Sequence, residues 1–148
     1  MGVVADGVLS GGGEVIGILS EALKDVEGAH PGLTELHIVS SMHERKAMMA
    51  RLADAFVALP GGIGTFEDLF EAWTWSQLGV HSKPCALLNV TDFYDHLVTF
   101  LDHVVHEAFL KLIHRHILVI ERAPTALLHA ICCLEISVVP KRFDEATT

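Results

Sequence analysis

This sequence of 148 residues predicts an α/β fold built on a parallel sheet. Three observations carry that expectation. Apolar runs of strand length alternate with stretches of helical period, the pattern of strands and crossover helices. Two of those runs, residues 86–88 and 117–120, are continuously apolar, as strands covered on both faces are. A third, residues 55–59, breaks at Pro60-Gly61-Gly62 and passes directly into helical sequence.

The elements follow in order. A short helix over residues 2–9 is closed by Gly11-Gly12-Gly13, since glycine accepts the left-handed backbone that ends helices. Strands are predicted at 14–19 and 35–39. A helix over 42–53 takes Ser40 or Ser41 as its cap. The strand at 55–59 leads to a helix from Gly64 or Thr65 to Leu78, ending near Gly79. Pro84 introduces a strand at 85–90. Residues 93–108 form an amphipathic helix with Leu97, Val98, Leu101, Val104 and Val105 on one face. A short strand at 117–121 precedes a last helix at 124–134, with Pro124 in its first turn. Without repeats or a linker, residues 1–139 read as one domain and 140–148 as a polar tail. No strand precedes the opening helix, although such domains usually begin with one, so the chain is expected to start late within its domain.

Composition narrows the function. Hydrophobic residues make up 51% and charged residues 20%, which is globular rather than disordered. Mean hydropathy is +0.42, yet no apolar stretch approaches the roughly 20 residues of a membrane span, so no membrane partner is expected. A formal charge of −9 argues against nucleic acid as a partner. Cys85, Cys132 and Cys133 have no metal-ligand spacing, and an odd count without a signal peptide fits free thiols in the cytoplasm. Ten histidines invite a metal. His103 and His106 are three apart on a predicted helix, and His114 and His116 flank Arg115, but no HExxH set is present and no metal site is expected. Trp73 and Trp75 straddle two faces of their helix, one for the core and the other for a partner subunit.

The segment from Ala55 to Asp68 carries the chemistry. A buried strand that runs through glycines into a helix leaves backbone N–H groups pointing outward at the positive end of the helix dipole. Phosphate binds at such a junction, and glycines let it approach. Thr65 is expected to cap this helix and offer its hydroxyl. The loop is not a Walker motif, because no Gly-Lys-Ser/Thr follows. It is not a dinucleotide fingerprint either, because Glu67 stands where the third glycine would be. Upstream, Met42-His43-Glu44-Arg45-Lys46 opens its own helix, and two cations in a first turn oppose the dipole, which suggests a task such as holding an anion.

Met42-His43-Glu44-Arg45-Lys46 and Pro60-Gly61-Gly62-Ile63-Gly64-Thr65-Phe66-Glu67-Asp68 together resemble the two hallmark segments of the Lonely Guy family, whose members are often described as lysine decarboxylases. The resemblance extends through Thr74-Trp75-Ser76-Gln77-Leu78-Gly79, His81-Ser82-Lys83-Pro84 and Leu87-Leu88-Asn89-Val90, and covers Gly2 to about Phe109. It implies a Rossmann-like open parallel sheet with helices on both faces, and a homodimer. It also implies hydrolysis of the N-glycosidic bond of nucleoside 5′-monophosphates, with cytokinin precursors as characteristic substrates and base plus ribose 5-phosphate as products. By the same resemblance Arg45 and Asp68 are the catalytic residues. Glu27, Met42, Lys46, Gly61, Gly62, Ile63, Gly64, Thr65, Phe66, Glu67 and Thr74 match substrate-binding positions. No cofactor is implied, and nothing marks a lysine prepared for a pyridoxal Schiff base.

Two departures stand out. Asp68 replaces the family's second glutamate and is one methylene shorter. The family's opening strand–helix–strand unit, roughly 30 residues, has no counterpart here. Its absence would leave an unpaired interior sheet edge. The alternative to an active hydrolase is a catalytically weak or inactive nucleotide- or phosphate-binding protein of the same fold.

Overall fold

The computed structural model describes residues 2–134, except the side chains of residues 25–27; the predicted polar tail lies outside the described residues. The chain divides into two units, Met1–Ala53 and Asp54–Thr148.

The first unit holds α1 (Gly2–Ser10), β1 (Ile16–Ser20), α2 (Glu21–Glu27), β2 (Glu35–Val39) and α3 (Met42–Leu52). The glycine run closes α1 as predicted. Gly11 N–H donates to the Gly7 and Val8 carbonyls, Gly13 N–H donates to Val8, and Gly12 takes φ +77° between them. β1 and β2 pair in parallel, with Ile16 opposite Glu35 and Ser20 opposite Val39. Helix α2 was not anticipated, because its seven residues are too few for a hydrophobic period to show.

The second unit holds β3 (Phe56–Ala58), α4 (Ile63–Gln77), β4 (Cys85–Leu88), a 3-10 turn (Val90–Asp92), α5 (Asp95–His106), α6 (Leu112–Arg115), β5 (Leu118–Glu121) and α7 (Pro124–Cys133). Its sheet is parallel in the order β3-β4-β5, with Cys85 between Phe56 and Leu118. The central strand explains why the sequence is apolar without alternation. Cys85 and Leu87 enter one core with Leu69, Ala72 and Trp73 of α4 and Leu101 of α5. Ala86 and Leu88 enter a second core with Leu127 of α7. Helices therefore cover both faces of this sheet, and Cys85, Ala86 and Leu87 are fully buried. Burial pushes the Cys85 thiol up to about 12.

Two details fix the helices on the core. Trp73 is buried and its indole N–H donates to the His114 carbonyl at 2.9 Å, whereas Trp75 is half-buried. At the end of β4 the buried Asn89 accepts the Tyr94 N–H and donates to the Asp95 carboxylate, both at 2.7 Å. Between them Thr91 and Asp92 adopt φ of 52° and 61°, a left-handed pair costing about 1–2 kcal/mol per residue. Arg122 holds Asp92 at 2.7 Å, which fastens this turn to the end of β5. The turn shortens both predicted elements: the strand ends at Leu88 rather than residue 90, and the helix starts at Asp95 rather than residue 93.

Candidate functional site

In the first unit, β2 ends at Val39 and the chain enters α3 through Ser40 and Ser41. Ser41 is the cap, accepting the Glu44 N–H at 3.2 Å. The Glu44 carboxylate reaches back to the Ser40 N–H at 2.9 Å and its hydroxyl at 2.7 Å. Those two bonds hold Glu44 below the usual carboxylate range. The geometry corrects one expectation. Arg45 and Lys46 are the fourth and fifth residues of α3, and the charge nearest the helix start is the carboxylate of Glu44. Arg45 and Lys46 thus avoid most of the dipole penalty, which falls off within the first turn.

Arg45 instead reaches the middle of β1. Its Nε donates to the Ile18 carbonyl at 3.1 Å, and its Nη1 lies 3.9 Å from the Met42 sulfur. The same sulfur accepts the buried Ser20 hydroxyl at 3.5 Å. Arg45 lines a cleft of about 650 Å³ with Gly17 and Ile18 of β1, Val8 of α1, Met49 of α3, and His30. That volume suits a small molecule. His30 was not singled out in the sequence; its imidazole lies 3.0 Å from the Asp6 carboxylate. Of the other predicted site residues in this unit, Met42 is exposed and Lys46 half-buried, while the Glu27 side chain lies outside the described part of the structure.

In the second unit, β3 ends at Ala58 and the chain turns through Pro60 and Gly61 into α4. The cap is Gly62, not Thr65, and the helix begins at Ile63. Thr65 sits inside the first turn, where its N–H and that of Phe66 return to the Gly62 carbonyl at 3.0 and 3.2 Å. The Thr65 side chain lies against Gly61, where a Cβ would collide with its hydroxyl oxygen. The N–H groups of Ile63 and Gly64, at the first two helical positions, are beyond reach of any acceptor within the helix.

Gly62 and Gly64 have neither a conformational nor a packing reason to be glycine. Gly62 has φ −94°, which any residue adopts, and Gly64 lies within a helix, where glycine costs about 1 kcal/mol relative to alanine. A Cβ at either position meets no atom within 4 Å. The surface above the two outward N–H groups is therefore bare, as close approach by a phosphate requires. Ile63 is 82% exposed and contributes backbone rather than packing. Phe66 turns inward, its ring edge-on to Tyr94 at 6.1 Å and packed on the core. Glu67 and Thr74 are exposed and Asp68 is half-buried. The structure thus gathers Gly61, Gly62, Ile63, Gly64 and Thr65 at one helix start, and places Met42, Arg45 and Lys46 in the other unit.

Comparison with known proteins agrees with the two motifs. A family model described as "Possible lysine decarboxylase" matches residues 1–131. The chain is 51% identical over 111 residues to the cytokinin riboside 5′-monophosphate phosphoribohydrolase of Rhodococcoides fascians, covering 74% of this chain and 56% of that protein. It is 51% identical over 126 residues to the phosphoribohydrolase LOG2 of Arabidopsis thaliana, covering 85% and 58%. It is 50% identical over 126 residues to LOG of Oryza sativa subsp. japonica, covering 85% and 51%. The chain spans about half the length of the curated relatives it matches. With the family model matching most of its length and the relatives about half identical, this chain belongs to the Lonely Guy family.

Proposed function

We propose that this chain carries the reacting residues of a phosphoribohydrolase that cleaves the N-glycosidic bond of nucleoside 5′-monophosphates. The substrate class is the one the relatives' names give, cytokinin riboside 5′-monophosphates. The observation that carries the reading is the bare start of α4, where Gly62 and Gly64 leave two outward amides open to an anion. Arg45, held at the middle of β1 and lining a cleft of nucleotide size, supports it in the first unit.

In this reading the 5′-phosphate rests on the Ile63 and Gly64 amides. The bond from C1′ to the base breaks as the sugar takes on oxocarbenium character, and the base leaves with the bonding pair. Water then bonds to C1′, and the proton it loses is delivered to a ring nitrogen of the departing base, which leaves neutral. The Asp68 carboxylate stabilises the developing cation or orients the water, and Arg45 orients phosphate or carboxylate through its planar fork. The chemistry needs no redox partner. Residues 1–139 act in this reading as one Rossmann-like domain of a cytoplasmic homodimer; the three free thiols suit a reducing compartment.

The test is release of free base from AMP and from isopentenyl-AMP, followed by chromatography, with binding measured by calorimetry. Base release that falls in both Arg45→Ala and Asp68→Ala, with the double variant no worse than either, supports a shared role. Binding without release by the unaltered chain selects the other reading, a nucleotide-binding protein with little activity, which the shorter Asp68 side chain favours. Absence of both binding and release defeats the proposal.

A further inference from the structure

We propose that His103, His106 and Glu107, at the carboxyl end of α5, form a binding site for one divalent cation of the zinc class. The three residues are spaced i, i+3 and i+4, so one face of the last turn presents all of them. Each offers one ligand atom, and these atoms all lie within 4.8 Å of one another. The Glu107 carboxylate oxygen is 3.1 Å from His106 Nδ1 and 3.9 Å from His103 Nδ1. Zinc bonds to nitrogen and oxygen are about 2.0–2.2 Å, so tetrahedral ligands stand roughly 3.3–3.5 Å apart. The two separations straddle that value, and with all three ligand atoms within 4.8 Å of one another, rotation of these exposed side chains brings the set onto one ion.

The surroundings favour a cation. Helix α5 ends at His106, and the last carbonyls of a helix, with the negative end of its dipole, lie beside the three side chains. The side chains are 63%, 83% and 49% exposed in residue order, so an ion has free access. Two imidazoles and one carboxylate select zinc, nickel or copper over magnesium or calcium, which take oxygen ligands. Without metal both imidazoles approach the same carboxylate oxygen. On binding, each ring is neutral and gives its Nδ1 lone pair, and the carboxylate gives its oxygen. The fourth position belongs to water. Such a clip ties the last turn of α5 to the reversal at Ala108, whose φ of 61° ends the helix. The sequence alone offered only the histidine pair; the helix end adds Glu107 as the third ligand.

The test titrates zinc chloride into the full chain by calorimetry, with cobalt absorption as a report of four-coordination. His129 lies 3.8 Å from the Cys133 sulfur and offers a competing site, so a Cys132→Ser/Cys133→Ser background is run in parallel. One equivalent is expected in both backgrounds. It should weaken at least about tenfold in His103→Ala/His106→Ala and in Glu107→Gln, with circular dichroism and Trp73 fluorescence unchanged. The side chains are exposed, so these variants fold. Undiminished zinc binding in the histidine double variant would overturn the site, as would loss of the equivalent with the cysteines, or no binding at all.

Discussion

Gly64→Ala separates stability from ligand binding, because the structure gives the two effects opposite signs. Gly64 is the second residue of α4, in helical conformation, and a Cβ there meets nothing within 4 Å. Alanine therefore adds no clash and removes backbone freedom from the unfolded chain. Glycine to alanine is worth about 1 kcal/mol in a helix interior. At a second position, where the helix is less formed, about 0.5–1 kcal/mol is the reasonable gain. For a chain of this size each kcal/mol moves Tm by about 2–4 °C, so the variant should melt roughly 1–4 °C higher.

Binding moves the other way. Helical Cβ atoms lean toward the amino end, so the new methyl stands beside the outward amides of Ile63 and Gly64. A phosphate oxygen accepting from either at about 2.9 Å leaves no room for a carbon that requires about 3.5 Å. Loss of one charge-assisted bond is worth about 1.5–3 kcal/mol, or roughly 10- to 150-fold in affinity. Scanning fluorimetry reads the first effect, and calorimetry with AMP reads the second. A variant that melts higher and binds AMP unchanged would refute the cradle outright. One that melts lower would show that the start of α4 is not open.

Four further outcomes follow from named contacts. Asp68→Glu should raise base release by an order of magnitude or more if one methylene of reach limits the reaction, as a misplacement of about 1 Å can cost about a hundredfold; unchanged turnover would clear Asp68 of blame. A thiol reagent should titrate Cys132 and Cys133 in the native chain and Cys85 only after denaturation, because Cys85 is fully buried and its thiol is pushed up to about 12. Asn89→Ala leaves the buried Tyr94 N–H without its 2.7 Å acceptor, and urea denaturation should register a loss of about 1–3 kcal/mol, more if the left-handed turn at Thr91 and Asp92 relaxes. Desolvation first, then Lys83, lowers the His81 pKa from its ordinary 6.5, while the Ala72 backbone opposes the shift. The unfolded chain therefore takes up the proton first, so this group's contribution is constant above pH 6.5 and stability falls as pH drops through the interval below; a His81→Gln chain should lack that decline in melts across the range.

The parts legible in the sequence share one property: their signal is local and long. The strand at Cys85–Leu88 reads from four apolar residues after a proline because burial on both faces forbids a polar one. The close of α1 reads from three glycines, one of which takes a positive φ. What escaped depends on contacts that no period encodes. Seven residues of α2 and four of α6 are too short to show a stripe, and the turn at Val90-Thr91-Asp92, held by Arg122, carries no period that would place the end of the strand at Leu88.

The same division runs through the candidate site. Glycines were visible as glycines, but that Gly62 and Gly64 differ from Gly61 was not. Gly61 is glycine because Thr65 fills the space beside it, and the other two stand before empty surface. Only the latter kind leaves room for a ligand beside the backbone. Thr65 was misread for the reciprocal reason: a threonine near a helix start suggests a cap, yet the chain enters the helix two residues earlier and turns that side chain onto Gly61. Arg45 shows the third case. Its unfavourable place against a dipole suggested function, and the structure removes that argument by giving the first turn to Glu44. It supplies a better one, since a half-buried guanidinium held by the Ile18 carbonyl lines a cleft rather than the core. Function at this residue is thus inferred from where the backbone of β1 fixes its charge, and that inference stands whether or not its helix position is costly.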